Sequence, residues 1–219
     1  MLTTLAEKGV HFLAIEGVIG AGKTTLARMI AERWNALCIE ENYQENPFLE
    51  KFYENPEPYA FQTQLFFLMD RHKQLQNSAL QSDLFHDLLV SDYTYDKDQI
   101  FAAQNLSDSE YAMYEQVAKS LDKDIPRPDL VVYLQASVPT LLSRIKARGR
   151  AMEKSIEGNY LKDLQERYDH HFWHYVGAPV LIINTDNIDF VHNEAHLQMV
   201  LDAIAACPKQ TTYFVPESN

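Results

Sequence analysis

The chain has 219 residues, of which 46% are hydrophobic and 23% are charged, so it is long enough for one domain with a sizeable core. Its formal net charge of −12 disfavours an extended nucleic-acid partner, because most of the surface would repel a phosphate polymer. No apolar run approaches the ~20 residues of a membrane span. The two cysteines, Cys38 and Cys207, form no disulfide framework and suit a reducing compartment. We therefore expect a cytoplasmic protein without a membrane or nucleic-acid partner.

Short apolar runs alternate along the chain with stretches of helical periodicity. The runs are rich in Val, Ile or Leu and show little polar alternation, as in strands covered on both faces of a parallel sheet. The predicted strands are 10–15, 37–40, 88–91, 130–134 and 180–183, and the predicted helices are about 23–34, 58–82, 108–121, 138–148, 158–175 and 190–206. Ser107 and Glu110 form a capping-box pattern at the third helix. This alternation predicts an α/β fold of about five parallel strands flanked by helices, in a single domain (1–207) followed by a polar tail (208–219).

A phosphate-binding motif follows the first predicted strand. Residues 17–24 fit GxxxxGK[ST] and lie between a buried strand and an amphipathic helix. Glycines let backbone N–H groups turn towards phosphate oxygens, and the helix start adds partial positive charge. We expect Lys23 to reach the β- and γ-phosphates and the Thr24 hydroxyl to ligate Mg²⁺. The predicted ATP-binding residues here are Gly17, Val18, Ile19, Gly20, Ala21, Gly22, Lys23, Thr24 and Thr25. The motif alone does not separate a kinase from a GTPase or an ATPase.

A series of polar and aromatic residues follows the P-loop. In chain order it comprises Glu41, Asn46-Pro47, Tyr53, Gln64, Arg71, Asp92-Tyr93-Thr94, Asp98, Phe101, Arg144, Arg148-Gly149-Arg150 and Glu153. This order and spacing resembles the deoxynucleoside kinases, the family of deoxycytidine, deoxyguanosine and bacterial deoxyadenosine kinases, over roughly residues 11–190. The resemblance implies a P-loop kinase fold with an arginine-bearing lid and, commonly, a homodimer formed through long helices. It also implies ATP-dependent phosphorylation of the 5′-hydroxyl of a deoxynucleoside.

The acceptor side of such a reaction needs a base and a nucleoside pocket. Glu41 follows the strand expected beside the P-loop strand, where a carboxylate can take the proton of an attacking sugar hydroxyl. Glu40 competes for this role, because alternation along a strand points only one of the two inward; alignment on Asn46-Pro47 selects Glu41. Gln64 and Arg71 lie about two turns apart on one helix face, and an amide can pair with a base edge.

The resemblance implies further acceptor contacts. In it, Gln64, Arg71 and Asp98 read the nucleobase, and the Arg–Asp pair accompanies purine or deoxycytidine use, with purines slightly ahead. Tyr53 and Glu153 correspond to residues that hold the sugar 3′-hydroxyl, and Phe101 corresponds to one that stacks on the base. For each aromatic residue taken alone, core packing is nearly as good an interpretation.

Three arginines form the predicted lid. Arg144 and Arg148 are four residues apart on one helix, and Arg150 follows closely. Clustered arginines can neutralise the equatorial oxygens of a loose phosphoryl-transfer transition state and can close over the phosphates to exclude water. After the last predicted strand, Asp189 and Phe190 resemble a family loop around the adenine of ATP, although an ordinary strand-to-helix turn explains them equally well.

One position departs from the resembled family. Asp92 ends the third predicted strand, where a carboxylate holds Mg²⁺ directly or through water. The family has Arg next, whereas this chain has Tyr93. Lys97 restores the charge if the intervening segment is helical. Two alternatives therefore stay open: a nucleoside monophosphate kinase of the thymidylate type, and a catalytically weak nucleotide-binding or assembly protein, which Tyr93 alone favours.

Overall fold

The computed structural model describes residues 5–216 of the chain, without the side chains of 79–85 and 124. Residues 1–4 of the predicted domain and 217–219 of the predicted tail lie outside this description. One sheet of parallel strands has the order β2-β3-β1-β4-β5-β6. The strands are β1 (Phe12–Gly17), β2 (Leu37–Ile39), β3 (Leu89–Ser91), β4 (Leu130–Gln135), β5 (Val180–Asn184) and β6 (Thr212–Phe214).

Helices connect these strands. They are α1 (Lys23–Trp34), α2 (Leu49–Glu54), α3 (Pro56–Phe85), α4 (Lys97–Asn105), α5 (Asp108–Leu121), α6 (Val138–Arg148), α7 (Gly158–Trp173) and α8 (Glu194–Ala205). Ser107 donates its backbone N–H to Glu110 Oε2 over 3.0 Å at the start of α5, as the capping-box pattern predicted. None of the helices that the structure describes is long and apolar enough to span a bilayer.

The hydrophobic core lies on both faces of the sheet, because successive side chains of a strand point to opposite faces. Phe12 and Ala14 of β1 belong to one cluster with Leu68 of α3, whereas Leu13 of β1 belongs to another with Leu26 of α1. The predicted α/β fold with helices on both faces is therefore confirmed.

The number of strands differs from the prediction of about five. The sixth strand, β6, lies within the predicted polar tail and pairs with β5 at the edge of the sheet. Two of its three residues are exposed, so it lacks the buried apolar pattern by which the other strands were recognised. The structure also adds α2 and α4, which were not predicted. In α4, Lys97 and Asp98 are buried, and buried charges give no amphipathic pattern.

The strand order determines where a site can form. β1 lies between β3 and β4, and β2 pairs with β3, so the prediction that the strand before Glu41 lies beside the P-loop strand is wrong. Because all strands are parallel, their carboxyl ends nevertheless meet at one edge. The P-loop follows β1, Glu41 follows β2 and Asp92 follows β3. In open α/β sheets ligands bind at this edge, near the point where the strand order reverses. The fold thus brings together three segments that are far apart in sequence.

Candidate active site

The loop after β1 has the backbone that its glycines permit. Gly20 and Gly22 have φ angles of 89° and 99°, which side chains rarely tolerate. A Cβ on Gly22 would also lie 2.9 Å from the ring of Phe190, and one on Gly20 would lie 2.9 Å from Leu141 O. Lys23 begins α1 and donates its ammonium to Gly17 O over 2.7 Å. Burial, with repulsion from Lys97, lowers the pKa of Lys23 to about 8.

Asp92 connects the P-loop helix to the acceptor side. The Thr24 hydroxyl donates to Asp92 Oδ2, and the backbone N–H of Glu41 donates to Asp92 Oδ1 over 2.9 Å. An adjacent hydroxyl and carboxylate suit Mg²⁺, which takes few protein ligands and completes its coordination with water and phosphate oxygens. The residues present therefore fit the predicted metal site of Thr24 and Asp92.

Glu41 is the centre of a buried charge network. Its Oε1 accepts from Arg71 Nε over 3.0 Å and also from Arg71 Nη2. Lys97 Nζ lies 2.8 Å from Oε1 and 2.9 Å from Oε2. Although burial opposes ionisation, Lys97 and Arg71 hold the pKa of Glu41 well below its usual range. Glu40 pairs instead with Arg28 of α1, so Glu41 is the residue joined to the buried cations.

Arg71 joins this network to a fully buried carboxylate. Its Nη1 donates to Asp98 Oδ1, and the hydroxyl of Tyr114 donates to Asp98 Oδ2 over 2.8 Å. Burial raises the pKa of Asp98 to about 6 even beside Arg71. Asp98 is among the residues predicted to read the nucleobase, yet both its oxygens are occupied by Arg71 and Tyr114. In this arrangement its carboxylate orients Arg71, and its predicted contact with the nucleobase stays a prediction.

One cavity of about 330 Å³ contains both the predicted phosphate-binding groups and the predicted acceptor groups, and its volume is within the range of small-molecule sites. The predicted site residues that line it are Ile19, Gly20, Lys23, Thr24, Glu41, Tyr53, Gln64, Arg71, Asp92, Phe101, Arg148, Arg150 and Glu153. Gln64 is almost fully buried, and Lys97 Nζ lies 5.9 Å from the ring centre of Phe101. Burial raises the pKa of Tyr53, so its hydroxyl stays protonated and able to donate.

The lid arginines have different partners. Arg148 Nη2 and Arg150 Nη1 lie 2.6 and 3.2 Å from the carboxylate of Glu153, and Arg150 also stacks 3.9 Å above the ring of Tyr43. Arg144 is outside the cavity lining. It donates to Thr185 O over 2.7 Å and to Ala21 O over 3.4 Å, so it joins the P-loop to the segment after β5.

The segment after β5 packs beneath the P-loop. Phe190 is buried against Gly22. The Asp189 carboxylate accepts from the backbone N–H groups of Val191 and His192, both over 3.0 Å. In this structure the segment forms a capped turn, and its predicted adenine contact stays a prediction.

Several residues at the site were not predicted, among them Tyr43, Phe67 and Tyr160 of the cavity lining and Glu16 of β1. Glu16, in β1, is fully buried and accepts from Thr94 N over 2.6 Å and from Thr94 Oγ1 over 2.9 Å; burial raises its pKa. An acidic residue inside an apolar run was a signal that could have found it. Phe67 lines the cavity and lies 5.0 Å below the guanidinium of Arg71, but nothing in the sequence distinguishes it from a core residue.

Comparisons with known proteins agree with this geometry. Residues 13–207 match the deoxynucleoside kinase family. The chain is 38% identical over 193 residues to deoxyguanosine kinase of Bacillus subtilis, covering 86% of this chain and 93% of that protein. It is 34% identical over 198 residues to deoxyadenosine kinase of Dictyostelium discoideum, covering 88% and 78%. The solved structure of deoxyadenosine kinase from M. mycoides with bound dATP matches with a TM-score of 0.77 at 26% identity, covering 88% of this chain and 98% of that one.

The match spans the P-loop, the Glu41 network and the lid, so the family resemblance inferred from the residues is confirmed. The chain belongs to the deoxynucleoside kinase family and is a phosphotransferase.

Proposed function

We propose that this protein uses ATP and Mg²⁺ to phosphorylate the 5′-hydroxyl of a deoxynucleoside, with purine deoxynucleosides preferred. The observation that carries this proposal is the single cavity lined by Lys23 and Thr24 on one side and by Glu41, Gln64 and Arg71 on the other. Such a cavity lets a phosphate donor and a nucleoside meet, which is what direct transfer requires.

On the donor side, the P-loop backbone and Lys23 bind the phosphates of ATP. Lys23 contacts only carbonyl oxygens at its Nζ among the bonds described, so a phosphate can replace them. Thr24 and Asp92 would hold Mg²⁺, which neutralises charge on the phosphate oxygens when bound.

On the acceptor side, Glu41 is the proposed general base. Its carboxylate is ionised at neutral pH because Lys97 and Arg71 hold its pKa low. A strongly paired carboxylate is a weak base, but in a loose transition state little of the bond to the acceptor oxygen has formed, so the hydroxyl does not need to lose its proton before that point. Glu41 therefore orients the 5′-hydroxyl and accepts its proton late in the reaction.

The base preference rests on Gln64 and Arg71. The amide of Gln64 offers a donor and an acceptor, and the donors of Arg71 that the network leaves free can pair with purine acceptors. Asp98 fixes the orientation of Arg71. Similarity to proteins named deoxyguanosine and deoxyadenosine kinases supports the purine preference. Tyr53 and Glu153 are proposed to hold the 3′-hydroxyl, and Phe101 is proposed to stack on the base.

The lid completes the site when the phosphates bind. Arg148 and Arg150 are half-exposed and share Glu153, so both guanidinium groups can turn towards the transferred phosphoryl group. Their charge stabilises the transition state, and their segment excludes water, which would otherwise accept the phosphate. We assign Arg144 to the same lid, where it holds the P-loop through Ala21, and we assign Asp189 and Phe190 to the adenine side of the donor site.

We also propose a cytoplasmic homodimer. α3 and α5 pack together and expose Met69 and Met113, which are 57% and 60% accessible. The two free cysteines suit a reducing compartment. Sedimentation at micromolar concentration distinguishes a dimer of twice 25.3 kDa from a monomer.

The test of the activity is direct. Purified protein is incubated with ATP, Mg²⁺ and each of the four deoxynucleosides, and with dTMP as an alternative acceptor. We expect monophosphates from deoxyguanosine and deoxyadenosine first. Phosphorylation of dTMP alone would indicate the monophosphate kinase instead, and no product from any acceptor would contradict the proposal.

A further inference from the structure

Position 93 contributes no side chain to the cavity. Tyr93 is completely buried and is absent from the cavity lining. Its hydroxyl donates to Gln74 Oε1 over 2.6 Å, so its polar atom is used to hold α3. The positive charge that Arg supplies at this position in the resembled family has to come from elsewhere in the chain.

Lys97 supplies a cation in the same cavity. It begins α4, and its side chain is 6% exposed. The segment between positions 93 and 97 is a turn, whereas the sequence argument required a helix. The backbone N–H of Lys97 donates to Thr94 O over 3.3 Å. This turn brings Lys97 back to the cavity, which it lines.

The contacts of Lys97 differ from those of Arg71. Both described bonds from Arg71 to Glu41 end on Oε1. Lys97 Nζ reaches Oε1 and Oε2, at 2.8 and 2.9 Å. With Arg71 alone the carboxylate is tethered at one oxygen and can turn about its last bond; with Lys97 as well, the plane of the carboxylate is fixed.

Its surroundings place Lys97 between the P-loop lysine, Lys23, and the carboxylate of Glu41. Glu16 and Glu41 are the carboxylates whose charges it stabilises, and it is close enough to Lys23 for the two ammonium groups to repel each other. A buried cation placed this way costs desolvation energy, and its bonds to Glu41 offset that cost.

We propose that Lys97 is the positioning residue of the general base: it fixes the Glu41 carboxylate towards the acceptor hydroxyl and supplies the charge that Tyr93 lacks. This inference rests on the proposed function. It differs from a purely structural ion pair, because it requires an N–H-bearing cation at this place for turnover and not only for folding.

The first test compares K97M, K97R and the wild-type protein. We expect K97M to lower kcat about 100-fold, the size of an effect from one lost electrostatic contact, with KM for the deoxynucleoside and for ATP changed less than about fivefold. K97R keeps the charge and should stay within about tenfold of wild-type kcat. K119M, which removes an exposed lysine paired with Glu115, is the matched control and should equal wild type.

The second test restores the cation from solution, with K97A refolded in the presence of methylammonium if it does not fold alone. In K97A, methylammonium should raise kcat about tenfold or more, since each such contact is a few kcal/mol, whereas tetramethylammonium, with equal charge and no N–H, should not. Equal effects of the two ions, or no effect of either, overturn the proposal, as does a K97M kcat within about threefold of wild type.

The two proposals fail in different ways. If the wild-type protein forms no monophosphate from any deoxynucleoside, the proposed function is wrong and this inference falls with it. If the wild-type protein and K97M are equally active, the function stands and only the role of Lys97 is wrong.

Discussion

The donor and acceptor halves of the cavity handle charge in opposite ways. In the donor half, Lys23 contacts only backbone carbonyls through its described bonds, and the P-loop offers N–H groups, so the positive charge there is left for a ligand to neutralise. In the acceptor half, the half-buried Glu41 pairs with the buried Arg71 and Lys97, and Arg71 also pairs with the buried Asp98, before any substrate binds. Under the proposed function, the donor half is completed by its ligand, whereas the acceptor half is preorganised by the fold.

This difference predicts which substitutions affect both stability and catalysis and which affect catalysis alone. Removing one member of the acceptor network leaves a buried charge without its partner, which affects both folding and catalysis. Removing a partly exposed cation near the donor phosphates leaves no buried charge unpaired, so it affects catalysis alone. The predictions below test this division, beginning with the largest effect.

Glu41→Gln should give the largest loss of activity. The amide cannot accept the hydroxyl proton, and loss of a general base lowers rates by about 10²–10⁴-fold. We expect kcat to fall into this range while ATP affinity changes less than about twofold, as measured by single-turnover assays and calorimetry. Glu40→Gln is the matched control, because Glu40 pairs with the exposed Arg28. Full activity of the Glu41→Gln protein would refute Glu41 as the base.

Arg71→Met should destabilise the protein more than any lid substitution. It leaves Asp98, which is fully buried, and Glu41 without a shared cation. Breaking a buried ion pair by removing one partner costs about 3–5 kcal/mol of unfolding free energy. Urea denaturation gives this value. A loss below about 1 kcal/mol would mean that the network carries no stability.

Arg148→Met tests the donor half of the cavity. The Arg148 side chain is 35% exposed, and Glu153 keeps Arg150 as a partner, so the unfolding free energy should change by less than about 0.5 kcal/mol. Turnover should fall about 10–100-fold, because a cation near the transferred phosphoryl group is lost. A destabilisation as large as that of Arg71→Met would remove the distinction between the two halves.

The same contrast explains what the sequence could predict. The P-loop was readable because its residues are consecutive and its chemistry lies in the backbone, and the central strands were readable because both their faces are apolar. No local pattern could show that Glu41 binds both Arg71 and Lys97, since these partners lie 30 and 56 residues away. No local pattern pairs Glu16 with Thr94, 78 residues away.

Some features could not be predicted because their sequence patterns indicate a different structure. Lys97 and Asp98 at the start of α4 are buried. In the sequence, two adjacent charged residues are typical of a polar loop, so this helix was not predicted. Tyr114 occupies an ordinary position on α5, and only the structure shows that its hydroxyl binds Asp98. Polar side chains that satisfy one another in the interior follow no periodicity, and tertiary contacts alone reveal them.

Tyr114→Phe should lower stability less than Arg71→Met does, and the loss should depend on pH. It removes the donor to Asp98 Oδ2, at a cost of about 1–3 kcal/mol for a buried charged acceptor. Because burial raises the pKa of Asp98 from 3.8 to about 6, the folded protein binds this proton more tightly than the unfolded chain. The resulting stability is complete below about pH 4 and is lost as the pH rises through about 6.

The Tyr114 hydroxyl favours the ionised carboxylate, so its removal raises the pKa of Asp98 further. The destabilisation should therefore be larger at pH 8, where Asp98 is ionised, than at pH 5, where it is mostly protonated. Urea denaturation at both pH values measures the difference. Tyr111→Phe, on the same helix with its hydroxyl exposed, should change stability by less than about 0.5 kcal/mol at either pH. An equal loss for Tyr114→Phe at pH 5 and pH 8 would mean that Asp98 keeps one protonation state throughout, and that the preorganised charges of the acceptor half do not include it as a titrating group.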